Sequence, residues 1–130
     1  MGLPGSGKTT LASELAILLF PHVEWFNADE VRSMYNDWDF SVEGRLRQSY
    51  RMRELADKST QQYVICDFVA PIDEMRAVFD PDYLIWMDTI DRGRYEDTNS
   101  LFNPPKYYDL RITELDSKKW SEIIKYTLTK

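Results

Sequence analysis

The chain is poor in the residues that mark extracellular, membrane and metal-binding proteins. Among its 130 residues there is one cysteine, Cys66, and one histidine, His22. A single cysteine excludes an internal disulfide and fits a reducing, cytoplasmic setting. Cys66 lies inside an apolar run and reads as packing, and His22 follows Pro21 in a turn where nothing nearby argues for a ligand or catalytic role. No apolar run approaches the length needed to cross a membrane, and no signal peptide is visible. Basic excess is also lacking: 16 Lys and Arg stand against 22 Asp and Glu, for a net charge of −6. That balance argues against a nucleic-acid partner without excluding a local basic groove, since Arg45, Arg47, Arg51 and Arg53 are clustered. Repeats, linkers and low-complexity stretches are absent. What remains, 43% hydrophobic and 14% aromatic, is the composition of one packed domain spanning residues 1–130. A homodimer is left open.

Residues 2–9, GLPGSGKT, match G-x-x-x-x-G-K-[ST], a phosphate-binding loop. Gly2, Gly5 and Gly7 free the backbone so that successive N–H groups, with those of Pro4's neighbours and Ser6, can point at an anion. Lys8 brings a charge to the β- and γ-phosphates, and the Thr9 hydroxyl is placed to ligate Mg²⁺. Thr9 to Phe20 has helical spacing, with Leu11, Leu15 and Leu18 on one face. Its first turn, including Thr10, directs a partial positive charge at the phosphates. ATP and Mg²⁺ are the implied ligands. Such a loop ordinarily follows a buried central strand, yet only Met1 precedes it here. A start further upstream, or a trimmed chain, is favoured over a sheet that lacks the strand, because an open slot leaves backbone groups unpaired.

Further along, apolar runs alternate with amphipathic ones. Strands are expected at residues 23–26, 63–69, 83–87 and 108–112, and helices at 29–35, 42–62, 72–78 and 117–128. Ser41 is the expected cap of the long helix. Residues 92–105, rich in Asn, Asp and Pro, have no helical or strand period and are expected to form a mobile lid loop. The alternation predicts an α/β three-layer sandwich around a parallel sheet, with ligands at the carboxyl ends of the strands.

Acceptor chemistry is expected at those ends. Asp29 is the candidate to orient or deprotonate an acceptor hydroxyl. Arg32 on the same helical face can hold an anion. Asp67, at the end of an apolar strand, is the candidate to reach Mg²⁺. Arg92 and Arg94 open the lid and can close over phosphates. Trp38, Phe40 and Phe102 can stack on a planar ring. Of the arginine cluster, Arg45 is the one expected to turn into the cleft.

These segments, GLPGSGKTTLA, FNADEVR, NDWDFSVEGRLRQ and DFVAP, resemble the adenylylsulfate (APS) kinase family over most of residues 2–90. The resemblance implies a P-loop kinase fold and transfer of the ATP γ-phosphoryl to the 3′-hydroxyl of APS, with Mg²⁺. It further implies that Phe40 stacks on the adenine of APS, that Arg32 and Arg45 hold its phosphosulfate, and that Gln48 and Phe102 belong to the same acceptor site. Several positions depart from the family pattern. Asn27 and Ala28 stand where the family has Asp and Gly, Ala70 replaces a serine, and the lid is short. N-x-D-[DE]-x-R after a strand also resembles the polynucleotide 5′-kinase family. A nucleotide-binding protein without turnover is the third reading.

Overall fold

The computed structural model describes every residue except Arg94. Helix α1 (Lys8–Leu19) leads to β1 (Val23–Asn27), α2 (Ala28–Tyr35), α3 (Val42–Lys58) and β2 (Tyr63–Asp67). After α4 (Asp73–Phe79) come β3 (Ile85–Met87), α5 (Glu96–Leu101), β4 (Leu110–Ile112) and α6 (Ser117–Thr129). The strands form two parallel pairs, β1 with β2 and β3 with β4.

Between the pairs lie Met1 and Gly2. The Met1 amine donates to the Ile85 carbonyl (2.7 Å) and the Met87 N–H donates to the Met1 carbonyl (2.8 Å), which is the pattern of one parallel rung. The Gly2 N–H reaches the Val69 carbonyl at 3.4 Å, just beyond β2. Behind Met1 a cavity of about 340 Å³ separates the two pairs, lined by Val64, Ile65, Cys66, Leu84 and Ile85 among others. Burial there pushes the Met1 amine down to about 5.

Leu11, Leu15 and Leu19, at i, i+4 and i+8, form the buried stripe of α1 and meet Met87, Ile112 and Ile124 of α6 in one core. The stripe ends on Leu19 rather than the expected Leu18, which is only half-buried. Because strand side chains alternate, Ile65 faces this core while Cys66 points to the Met52 carbonyl of α3. Met52 and Met75, where α3 packs on α4, fill the other layer. The Ser41 hydroxyl accepts the Gly44 N–H at 3.2 Å, so the expected cap forms.

The expected lid loop contains a helix. Residues 96–101 form α5, although Asp97, Thr98, Asn99 and Ser100 are all weak helix formers. Tertiary bonds hold it. Thr98 accepts from buried Arg45 (3.0 Å), and the Asn99 side chain both accepts from the Gly93 N–H (2.8 Å) and donates to the Gly93 carbonyl (2.9 Å).

Candidate functional site

The ends of β1, β2 and β3 converge on the phosphate loop. Gly7 caps α1 at φ +98°, where a Cβ would stand 2.8 Å from Leu115 Cδ2. Gly2, at φ +151°, lies so near β3 that a Cβ would meet the Met87 carbonyl at 2.6 Å. Ser6 is fully buried, and its Oγ has no hydrogen-bond partner among the described residues. Lys8 folds back to donate to the Leu3 carbonyl at 3.1 Å. Burial lowers its pKa, opposed first by Asp67 and then by Asp29. An orphan hydroxyl, a glycine cradle and a cation held over its own loop fit a polyphosphate.

Thr9 and Asp67, the residues expected beside Mg²⁺, are in contact. Thr9 Oγ1 donates to Asp67 Oδ2 at 3.0 Å, and Asn27 Nδ2 donates to the same carboxylate oxygen at 2.9 Å. A hydroxyl and a carboxylate are hard oxygen donors suited to Mg²⁺. No cluster of three His, Cys, Asp or Glu exists among the described residues, so any ion there would draw its remaining ligands from phosphate and water.

Two cavities flank the loop. One, about 580 Å³, has Pro4, Gly5, Lys8 and Thr9 on one side and Asp29, Trp38, Phe40 and Arg45 on the other. The second, about 350 Å³, lies between Gly5, Gly7, Thr10, Leu115 and Trp120. Sequence reasoning missed it, because Leu115 and Trp120 come from the far end of the chain and carry no motif.

The expected acceptor residues divide. Asp29 is exposed in the first turn of α2 and faces the larger cavity, and its carboxylate makes no hydrogen bond or ion pair among the described residues. Phe40 lies between two guanidinium groups, with Arg32 4.3 Å and Arg45 5.4 Å from its ring centre. Arg45 lines the cavity and is anchored on the Phe40 carbonyl (2.8 Å) and Thr98. Burial lowers its pKa, opposed by Asp97. Arg32 is buried and donates to the carbonyls of Asp37 and Asp39, both at 3.1 Å. It therefore holds the loop that carries Phe40, and it lines a side cavity of about 70 Å³ shared with Asp29, Phe40 and Arg45.

Gln48 lines that side cavity with Asp29, Phe40 and Arg45, while Phe102 and Arg92 stand elsewhere. Gln48 is turned to the Ala28 carbonyl at 3.0 Å and ties α3 to α2. Phe102 packs under Arg76, 5.5 Å from its ring centre, outside the larger cavity. Arg92 is exposed and paired with Glu96. Arg94 lies outside the described residues. The lid segment presents Tyr95, Asp97 and Thr98 to the cavity. Arg47 and Arg51 both bind Asp37, at 2.7 and 2.5 Å, with Arg47 on the solvated side of the arginine cluster and Arg51 half-buried. Buried Arg76 was missed altogether. It donates to the Ala70 carbonyl (2.9 Å), Asp73 (2.9 Å) and the Asn103 carbonyl (2.5 Å), and so pins the end of the lid.

A parallel α/β fold with a glycine loop, lysine and threonine at the strand ends defines a P-loop kinase. The family model for adenylylsulphate kinase matches residues 1–80, and the chain belongs to that family. A probable adenylyl-sulfate kinase of Aeropyrum pernix is 40% identical over 81 residues, which are 58% of this chain and 44% of that protein. The match thus spans less than half of that relative's length. The fold of the APS kinase CysC of Mycobacterium tuberculosis, solved in complex with AMPPNP and APS, is similar with a TM-score of 0.82 at 19% identity. That match covers 100% of this chain and 95% of the other. The crystal structure of APE1195 matches with a TM-score of 0.75 at 27% identity, over 98% of this chain and 90% of that one. No helix among the described residues is long and apolar enough to cross a membrane.

Proposed function

We propose that this chain transfers the γ-phosphoryl of MgATP to the 3′-hydroxyl of adenylylsulfate. The observation that carries the reading is the larger cavity. It has the phosphate loop on one wall, and on the other the Asp29 carboxylate beside an aromatic ring that Arg45 backs. Phosphoryl transfer asks a protein chiefly to position groups and stabilise charge. Gly5, Gly7 and Lys8 hold the triphosphate, while Thr9 and Asp67 are the residues to hold Mg²⁺. Magnesium, when bound, neutralises phosphate charge. Asp29 accepts the hydrogen bond of the acceptor hydroxyl and takes its proton as the new bond forms. Phe40 stacks on the acceptor's adenine, and Arg45 faces its anionic group. Arg92 belongs to the lid segment, which is to close over the phosphates. Gln48, Phe102 and Arg32 serve this site through packing and loop placement.

The test is transfer of labelled γ-phosphoryl, with APS and a 5′-hydroxyl oligonucleotide offered in parallel. Label on APS alone is the expected result. Label on the oligonucleotide alone would move the protein to the 5′-kinase class. ATP binding without label on either acceptor would leave a nucleotide-binding protein that lacks this activity.

A further inference from the structure

We propose that Asn27 is a positioning residue, whose amide fixes the Thr9–Asp67 pair and joins it to the helix carrying Asp29. The inference rests on the reading of Thr9 and Asp67 as the metal side of a phosphate site. Asn27 is the last residue of β1 and the direct cross-strand partner of Asp67 in the parallel pair. Its two amide atoms serve two different elements. Oδ1 accepts the N–H groups of Asp29 (3.0 Å) and Glu30 (3.2 Å) and so caps α2. Nδ2 donates to Asp67 Oδ2 (2.9 Å) and to Thr9 Oγ1 (3.3 Å). With Thr9 also donating to that carboxylate oxygen, Asp67 Oδ2 is held from two sides.

Only a side chain with an acceptor at one end and a donor at the other can do both. Aspartate would keep the cap, being as good an N-cap as asparagine. It would set a second anionic oxygen where a donor now stands, 2.9 Å from Asp67. Two carboxylates at that distance repel unless a cation lies between them. The amide therefore keeps the metal side at one carboxylate, pre-placed and neutral towards its neighbour. A divalent ion then has too few protein ligands to be held before the triphosphate arrives.

Asn27→Asp separates the two roles, and its readouts do not depend on the acceptor. Manganese binding without nucleotide is measured by electron paramagnetic resonance, MgATP binding by calorimetry, and the melting midpoint by circular dichroism. The expected result has four parts. The midpoint stays within a few degrees of the parent protein. Nucleotide-free Mn²⁺ binding tightens at least tenfold. It is lost again in the double variant N27D/D67N. MgATP affinity changes at least fivefold. Asn27→Ala, which removes cap and donor together, should lower the midpoint. Mn²⁺ and MgATP binding unchanged in N27D would reduce Asn27 to a helix cap and overturn the proposal. So would parent protein that already binds free Mn²⁺ as tightly as N27D. The acceptor assignment can fail without touching these results. If Lys8→Ala leaves MgATP affinity unchanged, the phosphate-site reading itself fails, separately from Asn27.

Discussion

Asp29 and Arg32 sit one turn apart on α2, yet the structure gives them different work. The Asp29 carboxylate faces the larger cavity unbonded, whereas the Arg32 guanidinium is spent on two backbone carbonyls and the Phe40 ring. Asp29→Asn should lower kcat by roughly 10²–10⁴ while MgATP affinity stays unchanged, measured by steady-state kinetics and calorimetry. Unchanged turnover would remove Asp29 from the mechanism. Phe40→Ala should raise KM for the acceptor and leave KM for MgATP alone, because Phe40 stands across the cavity from the loop. The placement of the loop residues and Asp67 at the strand ends was legible in the sequence, since it follows from local backbone and strand-end position. Gln48, Phe102 and Arg92 were not. Each is a polar or aromatic side chain whose direction is set by a distant partner: the Ala28 carbonyl for Gln48, the Arg76 guanidinium for Phe102, Glu96 for Arg92.

At the scale of elements, the helices with a strong apolar stripe or a capping hydroxyl were readable, and the strands were found, with β2, β3 and β4 expected too long at one end and β1 one residue too short. Residues 68–69 were expected in β2, but Val69 instead gives its carbonyl to Gly2 as the chain turns towards α4. Helix α5 was unreadable because four of the six residues of EDTNSL are weak helix formers; Arg45 and Gly93 hold it from outside. Arg76 plays the matching part at the other end of the lid, with its guanidinium buried and fully engaged. Arg76→Ala strands the Ala70 and Asn103 carbonyls and should destabilise the domain by roughly 2–4 kcal/mol. Urea unfolding would measure this loss; a change under about 0.5 kcal/mol would show the anchor to be dispensable.

For the whole molecule, the layer order followed from alternation of element types, while the seam beside Met1 was foreseen only as a missing neighbour. Cys66 stands in that region, and burial pushes its thiol from 9.0 up to about 12. The sign is fixed by linkage. Above pH 9 the unfolded chain releases the thiol proton while the folded chain keeps it, so stability falls as pH rises from 9 towards 12. The slope is at most about 1.4 kcal/mol per pH unit. A Cys66→Ala variant should lose that part of the decline in denaturant titrations. Native protein should resist thiol alkylation at pH 8 and react once unfolded.

The cavity between β2 and β3 also governs how slowly backbone protons leave. The middle of a sheet ordinarily holds the slowest-exchanging amides of a domain. Here strand alternation turns the N–H groups of Val64, Cys66 and Ile85 towards the opening, away from the neighbours β1 and β4. Deuterium uptake should therefore be early at these three residues and late in α1 and α6, whose bonds are internal and whose shared core is closed. Uptake at Met87, whose N–H is tied to Met1, should lag behind Ile85 although the two lie on one short strand.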